Sequence, residues 1–164
     1  MAPSSPRRHS SAESLKLDRQ LCFPLYAATR AMMRAYQPLL SRIGVTYPQY
    51  LVLLVLWEGD GLSVTALGDR LYLDSGTLTP LLKRLERQGL VHRTRSIDDE
   101  RVVEIALTSE GKKLRQKALS IPEALFCKLD VRVEEFVRLR DDLRRLYALL
   151  RHVADQDTAR KEAS

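Results

Sequence analysis

The apolar residues of this chain leave the helical period at Gly89 and return to it only after Leu107, and that break limits the fold more than any other feature. Before it they recur at steps of three and four, the pattern of helices buried on one face. Leu78, Leu81, Leu82 and Leu85 form one such stripe, which Gly89 ends. After it, Val103, Ile105 and Leu107 alternate with polar or small neighbours, the two-residue period of a strand. Segments 90–95 and 101–107 flank the turn Ser96-Ile97-Asp98-Asp99-Glu100. The spacing predicts a β-hairpin inside an otherwise helical chain.

A first helix is expected over 21–43, closed by Gly44. Pro24 fits its first turn, whereas Pro38 should kink or interrupt it. Thr46 and Gln49 have capping-box spacing ahead of a second helix. Its run Leu51-Val52-Leu53-Leu54-Val55-Leu56-Trp57 is apolar nearly all round and belongs at the centre of the core. Ser63 and Asp74 are suited to cap a short third helix and a longer fourth, and Thr108 a fifth in which Ile121-Pro122 forces an irregularity. A last helix aligns Phe136, Leu139, Leu143, Leu146, Leu150 and Val153 in a seam of about 26 Å. Residues 1–14 and 155–164 read as flexible tails around one domain, 15–154.

Composition narrows the function. With 164 residues, 45% apolar and 29% charged, the chain has a globular profile. No apolar run approaches the roughly 20 residues of a membrane helix, and the N-terminus lacks a secretory apolar segment. A cytoplasmic location and no membrane partner are expected. The cysteines, Cys22 and Cys127, are too few for a disulfide scaffold and too far apart for a metal finger. His9, His92 and His152 are scattered, so no metal and no cofactor are expected.

A short helix, a turn, a longer helix and a hairpin, in that order, make a winged helix-turn-helix. The fold class is thus mainly α with a small β-hairpin wing: a DNA-binding lobe over about 46–108, and helices over about 16–44 and 109–154 forming a dimerisation region. Both terminal helices are amphipathic, and two chains interlocking them give a homodimer. On the fourth helix Ser75, Thr77, Thr79, Pro80, Lys83, Arg84 and Arg87 lie away from the leucine stripe. The helix start, with its hydroxyls and N–H groups, suits phosphate, and Arg84 can reach a base edge in the major groove. Arg93, Arg95 and Arg101 flank a turn sized for the minor groove. A net charge of +6 and a pI near 9.5 invite a polyanion. Residues 69–101, however, carry seven Lys/Arg against six acids, so on charge alone a solvated face stays open. The order of elements favours double-stranded DNA.

Residues Asp99-Glu100-Arg101-Val102-Val103-Glu104-Ile105-Ala106-Leu107-Thr108-Ser109-Glu110-Gly111 resemble the wing signature of the multiple antibiotic resistance regulator (MarR) family, D-x-R-x-x-x-aliphatic-x-aliphatic-T-x-x-G. In it Asp99 orients Arg101 at the wing tip. The stretch from Leu67 to Leu82, LGDRLYLDSGTLTPLL, is similar more specifically to the organic hydroperoxide resistance regulators (OhrR). The resemblance covers about residues 16–154.

It implies a redox function. Cys22 falls where that family carries its peroxide-sensing cysteine, and Tyr36 and Tyr47 where two tyrosines hydrogen-bond it. Cys22 opens the first helix, where the partial positive charge of the N-terminus favours a thiolate. Cys22 and Tyr36 are 14 residues apart on one expected helix, about 21 Å along its axis. A contact of roughly 3 Å therefore requires two subunits. Cys127 is the resolving thiol of a two-cysteine type, and Phe23, Leu25 and Met32 favour organic hydroperoxides over hydrogen peroxide. The expected function is a repressor that releases a palindromic operator when Cys22 is oxidised, and not an enzyme. Two alternatives stay open from the residues: a repressor answering a non-covalent small ligand, with Cys22 merely packed, and a thiol peroxidase.

Overall fold

A computed structural model describes residues 13–95, 102–129 and 131–162. Two short 3₁₀ turns, Glu13–Leu15 and Leu17–Arg19, lead into α1, Cys22–Leu40. A third, Ser41–Ile43, joins it to α2, Tyr47–Glu58. There follow β1, Leu62–Ser63; α3, Val64–Leu71; α4, Ser75–Arg87; β2, Val91–Arg95; and β3, Val103–Leu107. Helices α5, Ser109–Ala118, α6, Ser120–Leu129, and α7, Val133–Glu162, complete the chain. The chain divides into two compact units, one ending at Ile121 and the other beginning at Pro122. Among the described residues no single helix is long and apolar enough to cross a membrane.

The core of the first unit is built from the expected stripes. Val52, Leu53 and Leu56 of α2, Leu67 of α3, Leu78, Leu82 and Leu85 of α4 and Ile105 of β3 are all essentially inaccessible. Each such side chain contributes about 1.5–3 kcal/mol by leaving water. The helix starts obey their caps. Ser63 Oγ accepts from the Ala66 N–H at 3.1 Å and Asp74 Oδ1 from the Thr77 N–H at 2.8 Å. Gln49 Oε1 accepts from the Thr46 N–H at 2.8 Å.

Four features sharpen or correct the sequence reading. Pro38 does not interrupt α1, which continues to Leu40. The cost of a proline in a helix interior is about 3 kcal/mol. Burial of Leu39 and Leu40 immediately after it offsets a cost of that size. The irregularity expected at Ile121-Pro122 takes the form of a break: the fifth helix is two, α5 and α6, parted at Leu119. Pro122 has no N–H to give the Ala118 carbonyl, and restarting at Ser120 puts it in a first turn, where none is needed. The hairpin is part of a three-stranded antiparallel sheet in the order β1-β3-β2, with Leu62 opposite Ile105 and Val91 opposite Leu107. Finally, α7 runs to Glu162, through most of the segment expected to be a flexible tail. Its Ala, Arg, Lys, Glu and Gln residues are good helix formers, and extending a helix avoids the cost of nucleation.

Asp60 ties the sheet to α5. Its carboxylate accepts the Leu107 N–H at 2.8 Å and the Gly61 N–H at 3.0 Å, and pairs with Lys112 Nζ at 3.2 Å. Partial burial works to raise its pKa, but these three partners outweigh it and hold the carboxyl below the usual range.

Candidate DNA-reading face and thiol site

The turn before α4 is tight. Tyr72 takes a left-handed conformation, φ 58°, and the Leu73 N–H returns to the Gly68 carbonyl at 2.9 Å. A Cβ on Gly68 would lie 2.7 Å from the Leu73 carbonyl oxygen, so the close approach requires glycine. This fixes the angle at which α4 leaves α3. Along α4, Ser75, Thr77, Pro80, Lys83, Arg84 and Arg87 are exposed and Thr79 is half-buried, opposite the sealed leucines. The start of α4 is less open to phosphate than the sequence suggests. The Thr77 N–H and hydroxyl both donate to Asp74, at 2.8 and 3.0 Å.

The wing is anchored by the T-x-x-G end of the signature. Thr108 Oγ1 accepts the Gly111 N–H at 3.1 Å and donates to the Gly89 carbonyl at 2.6 Å. A Cβ at Gly111 would meet the Leu90 carbonyl oxygen at 2.1 Å, so the strand can approach α5 only over a glycine. Arg95 is exposed at the end of β2, and Arg93 is half-buried opposite Ile105. Asp99, Arg101 and the turn 96–100 lie outside the described residues.

Cys22 occupies the first position of α1 and Cys127 lies in α6; both are free and exposed. Tyr36 stands on the same unbroken helix as Cys22, about 21 Å further along its axis. Within one chain the structure brings the two tyrosines together and leaves Cys22 a helix length away. The rings of Tyr36 and Tyr47 are 5.0 Å apart at 48°. Tyr50, which the sequence reading did not single out, joins them at 6.0 Å from Tyr36, and Trp57 continues the row edge-on at 6.2 Å from Tyr50. Trp57 Nε1 donates to the Gly111 carbonyl at 3.0 Å. The signal available for this cluster was the spacing of Tyr47, Tyr50 and Trp57 along one helix face.

Burial, reinforced by the neighbouring Tyr47 and Tyr50, pushes the Tyr36 hydroxyl up to about 12. Burial also raises Tyr47 and Tyr50. All three are therefore neutral hydrogen-bond donors at physiological pH. Beside them a crevice of about 430 Å³ opens between α1 and α2, lined by Met33, Gln37, Leu40, Val45 and Tyr47 among others. One turn beyond Cys22, Tyr26 Oη accepts from Arg30 Nη1 at 2.9 Å.

A helix-turn-helix whose second helix exposes hydroxyls and guanidinium groups, followed by a sheet wing, defines a winged-helix transcriptional regulator. The family described as transcriptional regulator SarA/Rot matches residues 34–118. The chain is 56% identical over 110 residues to the organic hydroperoxide resistance transcriptional regulator of Bacillus subtilis strain 168, across 67% of this chain and 75% of that protein. It is also similar to solved structures of AbfR, a protein of Staphylococcus epidermidis. Reduced AbfR bound to DNA matches with a TM-score of 0.75 and 35% identity, over 86% of this chain and 96% of that one. Disulfide-formed AbfR matches with a TM-score of 0.60 and 36% identity, over 83% and 96%. The chain belongs to the organic hydroperoxide resistance regulators of the MarR family.

Proposed function

We propose that the protein is a cytoplasmic homodimeric repressor that holds a palindromic operator while Cys22 is reduced and releases it when an organic hydroperoxide oxidises that thiol. The observation that carries this reading is the separation of Cys22 from the Tyr36–Tyr47 pair along one rigid helix. A chain cannot bring its own sulfur to its own tyrosines, but two first helices running antiparallel bring each sulfur to the other chain's pair. The exposed apolar residues of α7, Leu139, Leu143 and Leu150 among them, supply a face for the second copy.

The chemistry follows from the residues. The Cys22 thiolate attacks the nearer oxygen of the hydroperoxide; the O–O bond breaks and the alkoxide leaves, taking a proton to become the alcohol. Sulfur is oxidised to sulfenic acid and the peroxide is reduced. Cys127 of the partner subunit then displaces water from the sulfenic acid, giving a disulfide that a cellular thiol reductant reopens. One peroxide is consumed per reduction cycle, and in a sensor the change that matters is the release of DNA.

On DNA, α4 enters the major groove with Ser75, Thr79, Pro80, Lys83, Arg84 and Arg87 toward bases and phosphates. Thr77 adds a hydroxyl oxygen, and the wing, with Arg95, Asp99 and Arg101, takes the minor groove. Two such helices about 34 Å apart fit successive turns of the duplex. Formation of the disulfide pulls α1 out of register and spoils that spacing.

The test is operator binding before and after one equivalent of an organic hydroperoxide, followed by thiol rescue. Wild type releases and rebinds, and Cys22→Ser stays bound. Release by Cys22→Ser contradicts the reading. The crevice beside Tyr47 supports a second reading, induction by a reversibly bound apolar ligand. Induction that survives complete thiol blockade would select it.

A further inference from the structure

A chain of side-chain amides joins the tyrosine corner directly to the end of the DNA-reading helix. Gln49, in the first turn of α2, is only 3% exposed and is the buried polar residue of the described core. Its Oε1 accepts from the Thr46 N–H at 2.8 Å and from the Thr46 hydroxyl at 3.1 Å. Its Nε2 donates to Gln88 Oε1 at 3.0 Å. Gln88 is the C-cap of α4, and its Nε2 donates to the Gly44 carbonyl at 3.0 Å.

The direction of this chain is fixed. The Thr46 N–H can only donate, so the Gln49 oxygen must face it and the Gln49 nitrogen must face Gln88. The Gly44 carbonyl can only accept, so the Gln88 nitrogen must face Gly44 and its oxygen must face Gln49. Neither amide can turn over without placing like groups together at one junction. Gly44, φ +73°, is the corner between α1 and α2, and Thr46 immediately precedes Tyr47. One clamp thus grips the corner at Gly44 and Thr46, immediately before Tyr47, and fastens it to α4 across 39 residues of sequence.

We propose that the Gln49–Gln88 pair is the positioning element through which the oxidation state of Cys22 reaches α4. The inference rests on the redox reading above. In the reduced dimer the tyrosine hydroxyls hold the corner, and the amide clamp holds α4 at the angle that fits the groove. When the disulfide draws Cys22 away, the corner shifts, and the polar clamp carries the shift to Gln88 and so to the end of α4. Neither glutamine touches the reacting sulfur.

Gln88→Glu and the double variant Gln49→Met/Gln88→Met test this. The glutamate keeps an acceptor for Gln49 but has no donor for Gly44; the double methionine removes both partners of the buried bond and leaves no amide unpaired between them. Three quantities are measured on the full-length dimer: the rate of sulfenate formation at Cys22, the yield of disulfide, and the ratio of operator Kd between oxidised and reduced protein. The inference expects unchanged thiol chemistry and a Kd ratio reduced about five-fold or more toward unity in both variants. A purely structural role moves both Kd values together and leaves the ratio at the wild-type value, and that result overturns the inference. Thiol chemistry slowed in step with the ratio also overturns it, because the glutamines would then act at the sulfur. A wild-type protein that keeps its operator on oxidation fails the redox reading itself, whereas a wild type that releases beside variants that release equally well fails the clamp alone.

Discussion

The ring centroids of Tyr36 and Tyr47 lie 5.0 Å apart, tilted by 48°, so residues from two helices meet in one aromatic cluster. Burial keeps both protonated far above neutrality. A neutral phenol beside a thiolate can stabilise the anion only by donating to it.

Removal of either hydroxyl should therefore act on Cys22 chemistry and leave the fold intact. A hydrogen bond to a charged group is worth about 1.5–3 kcal/mol, so Tyr36→Phe and Tyr47→Phe should each slow sulfenate formation about ten-fold or more. Because the rings touch, the double variant should lose less than the product of the two. Stopped-flow trapping of the sulfenate measures all three rates.

The same cluster makes an alkaline prediction. In the unfolded chain these tyrosines ionise near 10, and in the fold Tyr36 does so near 12. The folded state then holds protons that the unfolded state has lost, so stability falls as pH rises from about 10 to 12. Absorbance titration at the phenolate band should show Tyr36, Tyr47 and Tyr50 ionising above the ordinary tyrosine range.

Asp60 makes the opposite prediction at acid pH. Its folded pKa is lowered, so its contribution is complete above the unfolded carboxylate value and is lost as pH falls through the folded one. Asp60→Asn should cost about 1 kcal/mol at neutral pH and flatten the acid limb of stability against pH. Urea unfolding across that range reads both effects.

Leu143 of α7 is 44% exposed in the single chain, on the seam with Leu139 and Leu150. A glutamate there would have to be buried in the proposed dimer without a partner, at a cost of about 3 kcal/mol or more. Leu143→Glu should weaken dimerisation at least about hundred-fold and abolish tight operator binding. Light scattering and gel shift on the same samples test the two together.

Much of this arrangement could be read from the residues because it depends on local chemistry. Ser63, Asp74 and Thr108 each supply the oxygen that the next helix start needs, and each was legible as a cap. The buried leucines followed from their period. What was not legible is nonlocal: the two-residue strand β1 pairs with β3, and α1 runs on past Pro38 into the buried Leu39 and Leu40. Gln49 looked like a capping residue, and nothing in its neighbourhood points to Gln88, 39 positions away. For the sensor, the separation of Cys22 from Tyr36 was a consequence of helical rise, while the role of Tyr47 came from family resemblance. Asp99 and Arg101 remain assignments of the wing signature alone.

Mixed dimers test the two-subunit site most directly. Cys22→Ser chains are paired, through different affinity tags, with chains carrying Tyr36→Phe and Tyr47→Phe, and the rate of sulfenate formation by an organic hydroperoxide is measured. The remaining Cys22 then belongs to the chain that lacks the hydroxyls and faces the intact tyrosines of the other. Oxidation at the wild-type rate with half the wild-type amplitude is the predicted result. Oxidation as slow as in the Tyr36→Phe/Tyr47→Phe homodimer would contradict the account, because it would place sulfur and tyrosines within one chain.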